Sequence, residues 1–361
     1  MLDDIEIRPY ESGDDDRIVG LLETVFKGWP SFDLSCTPLD HWRWKYLDNP
    51  LQKVIVCVAE KSDEIVGCTH NVPQRVKIGG SIYLLPFGAD AAVHPEYRER
   101  RLHTIMGELK TEIGGRQGLL PHYSVSANSV LVERNLRRSR PRIAQPVGIF
   151  VKIRDVDLHI QMIPPEDPLL KKYGYLALEK LNRLNNYARP REKSSRDIEI
   201  RTIRSFDERI DAFWQEVSHP YDFIVERGRG RLNWRYCNPR AGPYLVKQAE
   251  EGSRILGYSV LRINRGREDY PVGFVVDLLT LESAPEAANA LMEDAVDYFD
   301  GNEVNVVTGL FPKNSPDVKV LRRHGFLDSR ERINLFTWAT EVSQVNASSR
   351  MHFSCGDFDH I

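Results

Sequence analysis

The stretch VHPEYRERRLHTIMGELKTEI, residues 93–113, contains three different kinds of sequence pattern in a row. An apolar strand predicted near residues 82–93 runs into Pro95. A short polar segment follows, with Arg98, Arg100 and Arg101 close together. Apolar residues then recur at helical spacing, and the helix is expected to end at Gly114-Gly115: Leu102, Ile105, Met106, Leu109 and Ile113. The stretch therefore predicts a strand, a basic turn and a helix.

The segments on either side predict more strands and helices. Upstream, the pattern favours a strand at IEIR (5–8), an amphipathic helix from Asp14 to Phe26, and a hairpin that pairs Val54–Glu60 with Ile65–Val72. Downstream, it favours a strand from Tyr123 to Ala127, a helix near residues 129–138, and a last strand near Val147–Ile153. This mixture predicts an α/β protein, of the α+β type with a mixed sheet.

The chain repeats this pattern once. IEIR recurs at 198–201, and HWRWKYLDNP (41–50) resembles LNWRYCNP (232–239). In both copies a glycine, Gly67 or Gly257, lies 23 residues beyond a tryptophan, Trp44 or Trp234. An aspartate follows each glycine, at Asp90 and Asp277. A period near 190 residues indicates duplication of a whole domain, because solenoid repeats are only about 20 to 50 residues long.

The repeat divides the chain into four predicted parts. We expect an N-terminal domain at residues 1–153 and a C-terminal domain at 198–340. A linker with one helix, near 168–187, joins them at 154–197. The tail at 341–361 is polar and without clear periodicity, and we expect it to be poorly ordered.

Composition excludes several classes of protein. The formal net charge of −3 over 361 residues gives no general basis for binding DNA, and makes RNA a weak candidate. No basic N-terminal segment precedes an apolar run, and no stretch has the roughly 20 apolar residues of a membrane span, so we expect a cytoplasmic protein. The five scattered cysteines predict neither disulfides nor a metal site.

The order of elements, together with residues 93–113, resembles the GCN5-related N-acetyltransferase (GNAT) superfamily. The resemblance covers roughly residues 1–153 and 198–340, as two tandem GNAT-like domains. It implies an acyl-CoA-dependent N-acyltransferase, most simply one that uses acetyl-CoA as co-substrate and a small-molecule or peptide amine as acceptor. The N-terminal domain is the candidate for activity, because the second copy has no basic turn after Asp277.

The resemblance also implies a cradle for CoA. In the family, a turn of the form Q/R-x-x-G-x-G/A places the first N–H groups of a helix against the pyrophosphate. Here Arg98 occupies the Q/R position, whereas Arg101 and His103 replace the glycines. The candidate contacts with CoA come from the backbone at the end of the strand near residues 82–93, from the basic turn, and from one residue that could bind the pantetheine. They are Ala92, Val93, Arg98, Arg100, Arg101, Leu102, His103 and Asn128. The alternative is a solvated basic turn that no longer binds CoA.

Candidate catalytic groups are Asp90 as a base, His94 as a proton relay, and Tyr123 as a proton donor. The tyrosine that donates this proton in many family members is replaced here, because Asn135 and Leu321 occupy its two positions. Each candidate also has a structural interpretation. The recurrence of Asp277 at the position of Asp90 favours a structural role for both.

Two other interpretations stay open. The protein could be a non-catalytic tandem GNAT-like protein that binds a ligand or partner, or an acyltransferase that uses aminoacyl-tRNA. The two W-x-Y segments could line an acceptor groove, although packing in the core or contact between the halves is favoured because they recur. The sequence does not indicate the oligomeric state.

Overall fold

A computed structural model describes residues 4–126, 133, 143–162, 197–266, 269–341, 345 and 349–358. The helices predicted near 129–138 and 168–187, and the candidate ligand Asn128, lie outside the described residues apart from Glu133, which is helical.

The first half follows the predicted order of strands and helices. Its elements are β1 (Glu6–Pro9), α1 (Asp15–Phe26), α2 (Pro38–Tyr46), β2 (Ile55–Lys61), β3 (Glu64–Val72), β4 (Arg75–Ile78), β5 (Ser81–Leu84), β6 (Phe87–Val93), a 3₁₀ turn (Pro95–Arg100), α3 (Leu102–Arg116), β7 (Tyr123–Ser126), β8 (Ile143–Ile153) and α4 (Val156–Met162).

The second half repeats that order in outline, with an added strand, β10 (Phe223–Val225), and without a counterpart of the β4–β5 hairpin. Its elements are β9 (Glu199–Ile203), α5 (Arg209–Val217), β10 (Phe223–Val225), α6 (Arg229–Leu232), a π-helical turn (Asn233–Cys237), β11 (Leu245–Glu251), β12 (Arg254–Asn264), β13 (Val272–Thr280), α7 (Pro285–Gly301), β14 (Val306–Pro312), α8 (Asp317–Arg323), β15 (Leu327–Thr337) and β16 (Met351–His352), followed by a 3₁₀ turn (Cys355–Asp357).

The two halves share one sheet of twelve strands, in the order β1-β2-β3-β6-β7-β15-β8-β14-β13-β12-β11-β9. The halves exchange strands at its centre. The strand beside β7 is β15, from the second half, and the strand beside β14 is β8, from the first half. β8 and β15 pair antiparallel with each other. The sheet of each half is therefore completed by a strand from the other.

Helices cover both faces of the first half's sheet. One side of β2 and β3 packs against α1 and α2 through Ile18, Leu22 and Trp42. The opposite side packs against α3 through Leu102 and Met106. The alternation of strand side chains between the two faces produces this division.

Strand 82–93 was predicted as one element, and the structure breaks it into β5 and β6. Pro86 lies at the break and has no N–H to donate to a neighbouring strand. β4 and β5 form a hairpin that leaves the main sheet and joins a second sheet, in the order β16-β10-β4-β5. This sheet also joins the halves, because β10 and β16 belong to the second.

The expectation of a poorly ordered tail is wrong for residues 349–358. Phe353, Cys355 and Phe358 are buried in the core, and β16 pairs with β10. Asp357 forms a salt bridge of 2.8 Å with buried Arg227. The segment lacks periodicity because it is nearly all buried, so the sequence has no exposed side from which to read a pattern.

Candidate active site

The opening in the first half lies between β6 and β7. These parallel strands pair only at Phe87 and Tyr123, and they part beyond that point. β6 keeps its pairing with β3 as far as Val93. In the part of the chain that the structure describes, the edge of β6 from Gly88 onward therefore lacks a neighbouring strand on the β7 side.

Backbone direction along this edge follows from one hydrogen bond. His94 N–H donates to Val66 O of β3 at 2.9 Å. Since N–H groups alternate in direction along a strand, the N–H of Val93 points away from β3, into the opening. Ala92 is buried against the α1 and α2 side, so only its backbone can line the opening.

The basic turn leads from β6 into α3. Arg101, at the position of the first family glycine, has φ 59°, a left-handed conformation that glycine adopts readily and arginine does not. Leu102 begins α3 with its side chain buried, so only its backbone N–H faces outward. Together with the N–H of His103 it forms an uncapped helix start, where the dipole favours an anion.

Arg98, Arg101 and His103 are exposed around this helix start. Arg98 Nε donates to Val93 O at 3.4 Å, and Arg101 has no hydrogen-bond or salt-bridge partner among the described residues. Arg100 also belongs to the turn. The turn thus keeps the left-handed backbone of the family pattern and surrounds the helix start with positive charge.

The carboxylate of Asp90 is hydrogen-bonded and ion-paired within a polar network. Its carboxylate accepts hydrogen bonds from Trp29 Nε1 (3.0 Å), Lys45 Nζ and Tyr46 OH. Burial alone raises the pKa of Asp90, but the charge of Lys45 and these hydrogen bonds outweigh it and hold the pKa well below the usual range. A carboxylate so stabilised is a poor proton acceptor, so Asp90 serves to position α2 against β6.

His70 belongs to the same network and is neutral, because burial lowers its pKa to about 4. Its Nδ1 lies 2.8 Å from the carbonyl oxygen of Asp90, and Trp42 Nε1 donates to its Nε2 at 3.1 Å. These two bonds assign the proton to Nδ1.

Tyr123 is a core residue. Its side chain is fully buried between Phe87, Phe223 and Phe353, and its hydroxyl donates to Gln74. Burial raises its pKa far above the usual value. The structure gives Tyr123 no route by which to donate a proton to a leaving group in the opening.

Two polar side-chain atoms without hydrogen bonds lie near the point where β6 and β7 part. Asn71 Oδ1 and His122 Nδ1 are buried without hydrogen bonds. Both side chains border Gly88, where an added Cβ would lie 3.0 Å from His122 Cδ2 and 3.6 Å from Asn71 Oδ1. Burial, with the nearby charge of Lys110, lowers the pKa of His122 to about 3, so its ring is neutral. The opening thus has a polar floor able to accept or donate hydrogen bonds.

His94 follows Val93 directly and is partly exposed, with its Nδ1 buried and unpaired. Of the three predicted catalytic groups, it alone borders the opening without being held in a hydrogen-bond network.

Comparison with known proteins agrees with this geometry. Residues 6–113 match the family model described as an acetyltransferase (GNAT) domain. Yeast (Saccharomyces cerevisiae) N-myristoyltransferase with bound myristoyl-CoA superposes with a TM-score of 0.63 at 10% identity, over 98% of this chain and 86% of that one. The protein has a tandem GNAT fold.

Two bacterial structures share the tandem GNAT fold. A GCN5-related N-acetyltransferase from Anabaena variabilis superposes with a TM-score of 0.56 at 12% identity, over 92% of this chain and 72% of that one. A probable N-acyltransferase from Enterococcus faecalis gives 0.58 at 11% identity, over 94% and 73%. The chain matches no curated protein by sequence.

The second GNAT-like half has its opening filled. β13 and β14 pair as far as Val275 and Gly309 and then part. The segment that follows β16 lies there: Ser354 Oγ donates to Asp277 of β13 at 3.0 Å, and Cys355 lies against the backbone of Leu310 in β14. In the second half the chain itself therefore occupies the place that, as far as the described residues show, is open in the first half.

The W-x-Y segments meet between the halves. Trp44 and Trp234 stack with ring centroids 4.8 Å apart, and each donates its indole N–H to the other's backbone carbonyl, at 3.1 and 3.2 Å. Tyr46 donates to Asp90, and Tyr236 donates to Asp277 at 2.9 Å. This confirms the favoured interpretation of contact between the halves.

Three residues of these sites were not predicted from the sequence: Lys45 and Arg227, the partners of the two aspartates, and Asn71 in the polar floor. A signal existed for Lys45, which lies between the tryptophan and the tyrosine of its repeat. Arg227 and Asn71 had none, because their neighbours are distant in sequence.

Two further findings concern the described residues. None of their helices has the length and apolar character needed to cross a membrane. They contain no group of three or more His, Cys, Asp or Glu side chains arranged to hold a metal ion, and all five cysteines are free thiols.

Proposed function

We propose that the protein is an acyl-CoA-dependent N-acyltransferase that takes acetyl-CoA as co-substrate, transfers the acetyl group to an amine, and uses its N-terminal half. One observation carries the proposal: the free edge of β6 leads directly to an uncapped, positively charged helix start at Arg101 and Leu102. The filled opening of the second half restricts the activity to the first.

Each part of the opening has a task in this proposal. The N–H groups of Leu102 and His103, with the guanidinium groups of Arg98 and Arg101, hold the phosphates of CoA. Acetyl-CoA supplies a thioester, whose carbonyl oxygen is polarised by the N–H of Val93.

His94 is the proposed proton relay: as the C–N bond to the amine forms and the C–S bond of the thioester breaks, it takes a proton from the attacking amine and passes one to the departing CoA thiolate. Asp90 and Tyr123 are left out of the proton transfers, since the first is an ion pair and the second is buried in the core. This assigns them positioning roles, in holding α2 and β7 to the sheet.

Calorimetric titration of acetyl-CoA tests the proposal. The variant Arg98→Ala/Arg101→Gly removes both charges, and glycine suits the φ of 59° at position 101. Arg116→Ala removes a charge at the exposed far end of α3 and is the matched control. We expect one-site binding to the wild type and the control, and at least tenfold weaker binding to the double variant.

No binding of acetyl-CoA to the wild type would overturn the enzyme proposal and favour a non-catalytic binding protein. If CoA bound, a screen of amine acceptors, with His94→Ala as a second variant, would test the chemistry. We expect this variant to keep its affinity for acetyl-CoA and lose turnover. RNA binding that weakens steeply with salt would instead favour transfer from aminoacyl-tRNA.

A further inference from the structure

A second cleft lies between the two halves, on the α2 side of the sheet. It is shallow and open to solvent, and the empty space along its walls is about 300 Å³ when the solvent at its mouth is counted. Its walls include the stacked Trp44 and Trp234, Phe87 at the start of β6, and Phe358 from the last described segment. The cleft therefore combines an aromatic wall with polar and charged side chains, and it lies directly beside the strand that borders the proposed CoA site: Lys45, Gln74, Arg231, Arg235 and Asp357.

One side chain in this cleft lacks a partner. Arg231 of α6 is 8% exposed, yet among the described residues its guanidinium has no hydrogen bond or salt bridge. It lies over the ring of Trp234, with Cζ 5.9 Å from the ring centroid. Burial and the neighbouring charge of Arg227 lower its pKa, and the carboxylate of Asp357, which also lines the cleft, offsets this only in part. A buried charge without a partner is costly, so the site is incomplete by itself.

The surrounding charges do not supply the missing anion. Lys45 pairs with Asp90, and Arg227 is shared between Asp277 and Asp357. Arg235 donates to neutral oxygens, those of Gly356, Tyr244 and Phe358. Glu226 is near enough to interact electrostatically with Arg231, but among the described residues no hydrogen bond or salt bridge joins the two, so the guanidinium keeps its donors free.

We propose that this cleft binds the acceptor through a carboxylate, which pairs with Arg231 while the apolar body of the acceptor lies against the aromatic wall. The acceptor would then be a small amine that also carries a carboxylate, the class to which free amino acids belong. That the bound molecule is the acetyl acceptor rests on the proposed function. Recognition of a carboxylate by Arg231 does not depend on it.

The position of the cleft favours this role. Lys45, which lines it, bonds to Asp90 of β6, and Phe87 marks the point where β6 and β7 part. A ligand held at Arg231 therefore lies next to the first residues of the free strand edge. A guanidinium fork binds a carboxylate with two parallel hydrogen bonds, which fixes orientation as well as affinity.

Phenylacetate and its neutral isostere phenylacetamide test the cleft in the full chain. Binding would be followed by calorimetry and by tryptophan fluorescence, because Trp44 and Trp234 line the cleft. We expect saturable binding of phenylacetate, and at least tenfold weaker binding of phenylacetamide. Arg231→Gln should weaken phenylacetate at least tenfold, whereas Arg229→Gln, on the same helix but exposed, should leave it unchanged.

Absence of phenylacetate binding to the wild type, or equal binding of the amide, would overturn the inference without any variant. If Arg231→Gln failed to fold, Arg231→Lys would keep the charge and lose the fork, and we expect it to bind more weakly than wild type. Titration with acetyl-CoA separates the two proposals. Acetyl-CoA binding without phenylacetate binding overturns only the cleft, and the reverse overturns only the acyltransferase.

Discussion

At the scale of single residues, Asp90 and Asp277 show how one repeat position is used twice. Each accepts a hydrogen bond from the tyrosine of its own W-x-Y segment and pairs with a buried cation. The cation differs, being Lys45 in one half and Arg227 in the other. The shared task is to fasten the W-x-Y segment to the fourth strand of each half's sheet.

Asp90→Asn should therefore destabilise the fold, by about 3–5 kcal/mol, because it leaves Lys45 buried without its counter-charge. Urea denaturation at pH 7 measures this. The pKa of Asp90 is lowered in the folded state, so its contribution is present above the unfolded pKa and is lost as pH falls below about 3.8. The difference between wild type and variant should accordingly shrink in acid.

Lys45→Met/Asp90→Asn is the control for that prediction. Removing both charges should recover a large part of the lost stability, since no unpaired charge remains. A double variant as unstable as Asp90→Asn would contradict the assignment of the loss to the stranded lysine.

The pKa of Asp317 is shifted in the direction opposite to that of Asp90. Burial, with a contribution from the charge of Asp277, raises its pKa to about 6, although Ser315 Oγ donates to it at 2.6 Å. The folded state thus binds a proton more readily than the unfolded state, and the carboxylate lowers stability as pH rises from about 4 to 6. Asp317→Asn should be more stable than wild type at pH 7, by at most about 3 kcal/mol.

Denaturant unfolding of the wild type and of Asp317→Asn from pH 4 to 8 checks the direction of this pH dependence. The advantage of Asp317→Asn should grow up to pH 6 and stay level above it. An advantage that grows as pH falls would show that Asp317 stabilises the fold as an anion.

At the scale of elements, the repeated glycines Gly67 and Gly257 have different neighbours. A Cβ at Gly67 would lie 3.0 Å from Met106 Cε, the flexible end of a side chain on α3. A Cβ at Gly257 would lie 2.5 Å from Thr280 Cγ2 and 2.8 Å from the carbonyl oxygen of Leu279. The β12–β13 pair therefore has no room for a methyl group.

Gly257→Ala should cost about 2 kcal/mol or more in the free energy of unfolding, because backbone must move. Gly67→Ala should cost less than about 1 kcal/mol, since Met106 can change rotamer. Thermal and urea unfolding of the two variants would measure these two losses. Equal losses would mean that glycine serves the same purpose in both halves.

The elements that the sequence predicted are those whose pattern is local. Helix α1, the β2–β3 hairpin and helix α3 agree with their predictions within one or two residues, because each has its own apolar periodicity. The second sheet and β16 were not predicted, because β10 and β16 are only three and two residues long and such short strands show no alternating pattern. Their partners are set by tertiary contacts.

The candidate site was predictable to the same degree. The basic turn at Arg98–Arg101 and the neighbouring His94 could be found because they lie in one continuous stretch. A structural role for Asp90 was favoured by the recurrence of Asp277, but the hydrogen bond of Tyr123 could not be predicted, because Gln74, its partner, comes from a separate element. The cleft at Arg231 needs both halves, so no single stretch of sequence contains it.

At the scale of the whole molecule, the exchange of β8 and β15 makes the halves interdependent. The first half without β15 would leave the edge of β7 bare, and the second half without β8 would do the same to β14. Bare edge strands favour aggregation over folding. The stacked Trp44 and Trp234, each hydrogen-bonded to the other's backbone, add a second contact that neither half can make alone.

We therefore predict that a chain cut within residues 163–196 stays together. A protease site placed in this segment should yield two fragments that co-elute as a 1:1 complex and keep the circular dichroism of the intact protein. Residues 1–162 and 197–361, expressed separately, should be insoluble or poorly folded, and co-expression should restore the complex. Two folded, separable monomers would show instead that each half completes its own sheet, because a bare β7 or β14 edge would then have found a partner within its own half.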